Sequence, residues 1–231
     1  MRLNRYQHAL LILLAFIMPV MLAAQTHYEG NISVGGKAGL SLSRLNFNPT
    51  VTQTWLPGAT FGGMFRYVEE KHFGIVAELN VEMRGWKETF ENSDYNYQHR
   101  LTYIEFPVLT HIYFGSQRVH GFFNAGPEIA YMISDGASSN FDYTTAAGID
   151  YFEYNSRRIE QYTLPIKSRF DYGIAAGAGM EVFLSDKHSM LLEARFYYGL
   201  NDVFSNHKTD IFSGSNGMSL AVTLGYFFRI K

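Results

Sequence analysis

The chain has no cysteine. That absence excludes disulfides, thiolate zinc sites and a lipid-anchoring cysteine. No sign of charge dominates: 19 Lys and Arg stand against 21 Asp and Glu, a formal net charge of -2. No basic surplus marks the chain for nucleic acid. Past residue 25 no continuous apolar run reaches the roughly 20 residues of a spanning helix. There is no HxxxH motif and no His–carboxylate cluster with ligand spacing, so no metal site is expected. The glycine-rich stretch GIAAGAGM, Gly173 to Met180, lacks the Lys-Ser/Thr and the following helix of a phosphate cradle. No cofactor is expected.

What the chain does carry is aromatic mass: 16 Tyr and 19 Phe among 231 residues. Its first residues read as a targeting segment. Arg2 and Arg5 precede the apolar run ALLILLAFIMPVML, which exits through Ala23-Ala24-Gln25. A basic start, a short apolar stretch and small exit residues describe a secretory signal peptide. Cleavage after Ala24 divides the chain into a signal peptide, residues 1–24, and one domain, 25–231.

Beyond the leader, apolar residues recur with period two. Eight runs of strand length follow, bounded by Gly, Asn, Asp, Ser or Pro: roughly 32–45, 58–69, 72–87, 99–114, 119–133, 168–184, 188–200 and 217–230. Short turns near 69–72, 115–118 and 185–187 alternate with long connections near 46–57, 88–98, 134–167 and 201–216. Long strands with short turns on one side and long loops on the other are the pattern of an outer-membrane barrel. The predicted fold is all-β, an eight-stranded antiparallel up-and-down transmembrane barrel. The even strand count places both termini on the periplasmic side of the cell outer membrane.

The two faces of each strand differ. In the seventh, Leu192, Ala194, Phe196, Tyr198 and Leu200 share one parity, and Glu193, Arg195 and Tyr197 the other. In a membrane barrel the apolar parity meets lipid and the polar parity fills the lumen. The predicted lumenal charge network is Lys37, Arg66, Glu78, Glu82, Arg84, Glu105, Glu128, Glu181, Glu193 and Arg195. Eight strands leave room for side chains and not for a wide channel, so these charges must pair. The run LTYIEFPVLTHIYF, Leu101 to Phe114, then becomes intelligible. Glu105 is expected to meet an arginine inside, His111 to lie near the periplasmic mouth, and Pro107 to impose a local kink.

Five segments carry a family resemblance: GGKAGLSLSRL, YIEFPVLTHIYF, AGPEIAYMIS, LEARFYYGLND and SLAVTLGYFF. In this order they resemble the outer-membrane β-barrel family common in Bacteroidetes, the porin-family or PorT-like group. The resemblance implies an eight-stranded barrel in a Gram-negative outer membrane. Its namesake member belongs to the type IX secretion apparatus. The last strand also resembles the signal read by the barrel-assembly machinery, although Arg229-Ile230-Lys231 follow its aromatic pair.

The loop 134–167 is rich in Tyr, Phe and Arg. One reading is a hairpin continuing above the membrane. The other is a recognition surface using Tyr151, Phe152, Tyr154, Arg157 and Arg158, for a protein partner or for lipopolysaccharide phosphates. The leading functional expectation is an envelope structural or interaction protein with a filled lumen, and not an enzyme. The alternatives are a narrow porin or a PorT-like secretion subunit, and a lipid-modifying enzyme using Ser205 or His207.

Overall fold

A computed structural model of the chain describes residues 30–70, 72–206 and 210–231. The predicted signal peptide, residues 1–24, lies outside the described residues. The strands are β1 (Asn31–Asn48), β2 (Gln53–Thr54), β3 (Leu56–Glu70), β4 (Phe73–Glu88), β5 (Tyr97–Gly115), β6 (Val119–Ser139), β7 (Phe170–Phe183), β8 (His188–Asp202) and β9 (Gly214–Arg229). The two-residue β2 carries the β3–β4 pairing past Trp55. The wall therefore has eight strands. Each pairs antiparallel with its neighbours, β1–β9 and β4–β5 included, and the sheet closes into a ring with no free edge.

Alternation builds this ring inside out. Leu40 is 74% exposed on the outer face, Leu224 60% and Leu79 59%. On the inner parity Glu181 and Glu193 are each only 1% exposed. An apolar exterior around a charged interior is stable only where the exterior is not bathed in water. At the long-loop end the apolar belt stops at Leu42 on β1, Met83 on β4, Ile104 on β5 and Ile133 on β6.

β5 shows how the sequence sustains this. Ile104, Phe106, Val108, Ile112 and Phe114 are exposed outside, while Tyr103, Glu105, Leu109 and His111 are buried inside. Pro107 produces no shift of register. Toward β4 the pairing runs Ala77 with Val108 and resumes at Asn80 with Glu105 in the same frame. The missing N–H silences the pairs beside Pro107 without slipping the strand. The irregularity on β5 is elsewhere: Tyr103 faces Met132 and Thr102 faces Ser134, which leaves Ile133 as the extra residue of a bulge.

The long connections are shorter than the sequence pattern suggests, because β5 and β6 pair as far as Tyr97 and Ser139. Asn140 closes their extension by donating to Asn96, whose own N–H reaches the Asn140 side chain at 2.8 Å. The remaining 140–169 segment is not a hairpin. It folds as two 3-10 turns, Tyr143–Gly148 and Glu160–Tyr162, flanking the short helix α1 (Asp150–Tyr154).

Candidate functional site

The interior is filled in layers from the short-turn end upward. Near that end a small apolar cluster of Met64, Phe122, Leu191 and Phe227 packs beside the first ion pair. Arg66 lies over the Phe227 ring at 4.2 Å and grips Glu181 with two bonds of 2.6 and 2.9 Å. Such forked pairing satisfies both groups at once. Ser189 also donates to Glu181. His111 meets Asn124 at 2.7 Å, and Asn124 donates to Glu193 at 2.8 Å. The β7 wall is thin here for a reason: a side chain at Gly179 would strike the Phe122 ring, and one at Gly177 would come within 2.9 Å of Glu193.

Glu78 organises the middle layer. It accepts from Arg195 at 2.7 and 2.8 Å and from Asn80 at 2.9 Å, and pairs with Lys37 at 2.7 Å. Arg195 also reaches Glu193 at 2.7 Å.

Arg84 holds the upper layer. Glu105 and Glu128 each approach it to 2.5 Å, Glu82 to 3.5 Å and Asp171 to 3.7 Å. Its guanidinium lies 3.9 Å from the centre of the Tyr197 ring, whose hydroxyl donates to Asp171 at 3.0 Å. All ten residues expected in the lumenal network are buried in the interior. They form three groups rather than one: Arg66 with Glu181; Lys37, Glu78, Glu193 and Arg195; Arg84 with Glu82, Glu105 and Glu128. Asp171, Asn80, Asn124 and Tyr197 complete these groups and were not among the expected ten. Asp171 shares its strand parity with Glu181, which is the signal that finds it.

Little space remains. A cavity lined by Glu82, Glu105 and Thr223 measures about 10 Å³, and another beneath the cap, lined by Arg84, Tyr103 and Asp171, is the same size. Each is about the room that one water needs.

Above Arg84 the chemistry turns apolar. Leu45, Phe47, Trp86, Tyr97, Leu101, Phe204 and Phe212 from the strand ends and loops pack with Phe152 and Tyr162 of the 140–169 segment. This segment is a cap, and Glu88 fastens it. Buried at the end of β4, above the apolar belt, Glu88 accepts from Gln161 at 2.7 Å, Tyr162 at 2.8 Å and Arg157 at 3.3 Å. Burial pushes its carboxyl above the usual 4.5, against the pull of these donors. Burial beside Glu88 likewise raises the Tyr162 hydroxyl.

The five loop residues singled out in the sequence divide between the two surfaces of the cap. Phe152 is buried in the apolar cluster. Arg157 faces inward: it donates to the Thr89 carbonyl at 2.6 Å and lies 4.4 Å from the Phe90 ring centre. Tyr151 donates to the Glu91 carbonyl at 2.8 Å. Arg158 is half-buried, and Tyr154 stands out at 89% exposure. Of the two residues named for a catalytic alternative, Ser205 is half-buried and His207 lies outside the described residues. His99 stacks on Trp86 at 4.5 Å and contacts the Tyr97 hydroxyl. Among the described residues no group of acidic and histidine side chains is arranged to hold a metal.

A family model and the solved structure of OprG agree with this architecture. The family model described as outer membrane protein beta-barrel domain matches residues 23–205. Among curated proteins no match was found. The outer membrane protein OprG from Pseudomonas aeruginosa superposes with a TM-score of 0.51 at 10% identity, covering 89% of this chain and 98% of that one. Neisserial surface protein A (NspA) gives 0.45 at 10% identity, covering 87% and 99%. Ail of Yersinia pestis, solved with the heparin analogue sucrose octasulfate, gives 0.40 at 15% identity, covering 87% and 100%. At 10% identity the likeness to OprG speaks for fold alone. With the family model matching most of its length and an eight-stranded ring turned inside out, this chain belongs to the outer membrane protein beta-barrel domain family.

Proposed function

We propose that this outer-membrane barrel is a closed envelope protein that acts by binding through its long-loop cap, and not by transport or catalysis. The observation that carries this reading is the filled lumen. A small apolar cluster, three groups of paired charges and an aromatic lid fill the described interior, and the two cavities lined by Glu82 and by Arg84 each have room for about one water. In this reading the short turns and both termini are periplasmic, and the cap faces outward. Tyr154 and Arg158 are its presented side chains; Phe152 and Arg157 hold it in shape. Insertion uses the barrel-assembly machinery, which the alternating last strand and its Phe227-Phe228 pair suit.

A second reading follows from the resemblance to the Bacteroidetes, PorT-like group: a subunit of a type IX secretion assembly docking through the same cap. The narrow-porin reading would need a path past all three groups of paired charges. No catalytic role is proposed.

The test has two arms. Purified protein in planar bilayers should give no stable open conductance, and a steady open state overturns the closed-lumen reading. A photocrosslinker placed at Tyr154 should capture a discrete envelope component in intact cells. Absence of any adduct there overturns the binding role of the cap.

A further inference from the structure

Just beyond the apolar belt the outer face of the barrel is not uniform. On the β8–β9 side the next outward positions are Asp202 and Asn216, an acid and an amide. On the β1–β5 side the first two outward positions include three cations. Arg44 follows Leu42 on β1, Lys87 lies two outward positions beyond Met83 on β4, and Arg100 two beyond Ile104 on β5. All three lie within two outward positions of the long-loop edge of the lipid-facing surface.

They also form one patch. Arg44 lies 5.3 Å from the centre of the Trp55 ring. Thr54, next to Trp55, pairs with Lys87. Lys87 pairs with Gln98, and Arg100 is its diagonal neighbour, opposite Gly85. Crossing from β1 through β3 and β4 to β5 takes three strand spacings, about 14 Å. Among the described residues none of the three cations has a carboxylate within ion-pairing distance, unlike the arginines of the lumen. The exposed acid nearest in the sheet register is Asp135 on β6, which pairs with Leu101 beside Arg100 but is in no ion pair with it. Trp55, 38% exposed, adds the amphipathic ring that favours a membrane–water boundary.

We propose that Arg44, Trp55, Lys87 and Arg100 form a binding site for the phosphorylated headgroup of a lipid in the surrounding outer leaflet. Its acyl chains lie along the apolar belt below, and its phosphates meet cations that no carboxylate among the described residues neutralises. Two arginines suit this task because the guanidinium fork matches phosphate oxygens. The site rests on the outward placement of the long-loop end. It is separate from the cap, so its failure leaves the cap reading standing.

The test titrates diphosphoryl lipid A, and the same lipid stripped of its phosphates, into the full chain in detergent. Intrinsic fluorescence is the readout: Trp86 is fully buried, so the exposed Trp55 reports contact. Saturable binding of the diphosphoryl form is expected, weakened at least about tenfold by removing the phosphates or by combining Arg44→Gln, Lys87→Gln and Arg100→Gln. These outward side chains make no internal ion pair, so the triple variant should unfold at the same denaturant concentration as the parent. Arg158→Gln on the cap should leave binding unchanged. Equal affinity for both lipids, or loss with Arg158→Gln but not with the triple variant, overturns the proposal.

Discussion

Arg195 and Glu78 meet across the full width of the barrel, joined by bonds of 2.7 and 2.8 Å although they lie 117 positions apart in the chain. Their strands, β8 and β4, stand four places apart in the ring of eight and so form opposite walls. Glu78 also neutralises Lys37. Glu78→Ala would leave two buried cations sharing Glu193. Removing one partner of a buried pair costs about 3–5 kcal/mol. Urea unfolding in lipid should show a loss of that size, and replacing Arg195 by Met in the same chain should recover part of it. An unchanged midpoint for Glu78→Ala would mean that the pair contributes nothing.

Trp86 is fully buried and touches the rings of Phe47, Tyr97, His99 and Phe204. Trp86→Ala should cost about 3–5 kcal/mol through the cavity it opens. The loss should be local. Limited proteolysis is expected to cut the 140–169 segment faster while the barrel keeps its folded, heat-modifiable migration on gels.

Arg157 ties the cap to the rim through Glu88, the Thr89 carbonyl and the Phe90 ring. Arg157→Ala removes bonds to charged groups worth about 1.5–3 kcal/mol each when buried, less at this partly open position. Amide exchange should rise in residues 140–169 and stay unchanged in β7 and β8. Arg157→Lys should rescue only part of the protection, since it loses the fork.

The same latch should respond to acid. The Glu88 carboxyl titrates above its ordinary 4.5 because it is buried, and Arg157, Gln161, Tyr162 and Tyr97 face it. The docked cap then holds the proton more tightly than the undocked one. That contribution is fully present below the ordinary value and is lost as pH rises through the raised one. Protease protection of the cap is therefore expected to increase as pH falls from neutrality toward 4.5. Glu88→Gln should flatten the profile, and a profile identical to the parent's would place the titrating group elsewhere.

The strand parity was legible in sequence because it is local. The alternation of Leu192, Ala194 and Phe196 with Glu193 and Arg195 separates outside from inside without any knowledge of neighbours. Which charges meet was not legible. Arg66 finds Glu181 and Arg195 finds Glu78 across the ring, and partners on opposite walls depend on the stagger of every strand between them. Asp171 shares a visible parity, yet it sits at the height of Arg84 only because β7 is paired in this register. The 140–169 segment has no period to read. Its Arg157 looks like a surface cation until Glu88, 69 residues away, is folded against it.

The two long-range ion pairs have a mechanical meaning. Backbone hydrogen bonds fix the circumference of a closed sheet but leave it free to flatten into an ellipse. Arg66–Glu181 spans β3 to β7 and Arg195–Glu78 spans β4 to β8, two adjacent diameters pinned at different heights. They act as spokes. Squeezing along either line compresses a charged contact already at hydrogen-bonding distance, and stretching it separates opposite charges inside a medium of low permittivity. The tube is therefore held round from within, and lateral stress from the surrounding lipid reaches the rim and its lid as a whole-body load rather than as a change in cross-section.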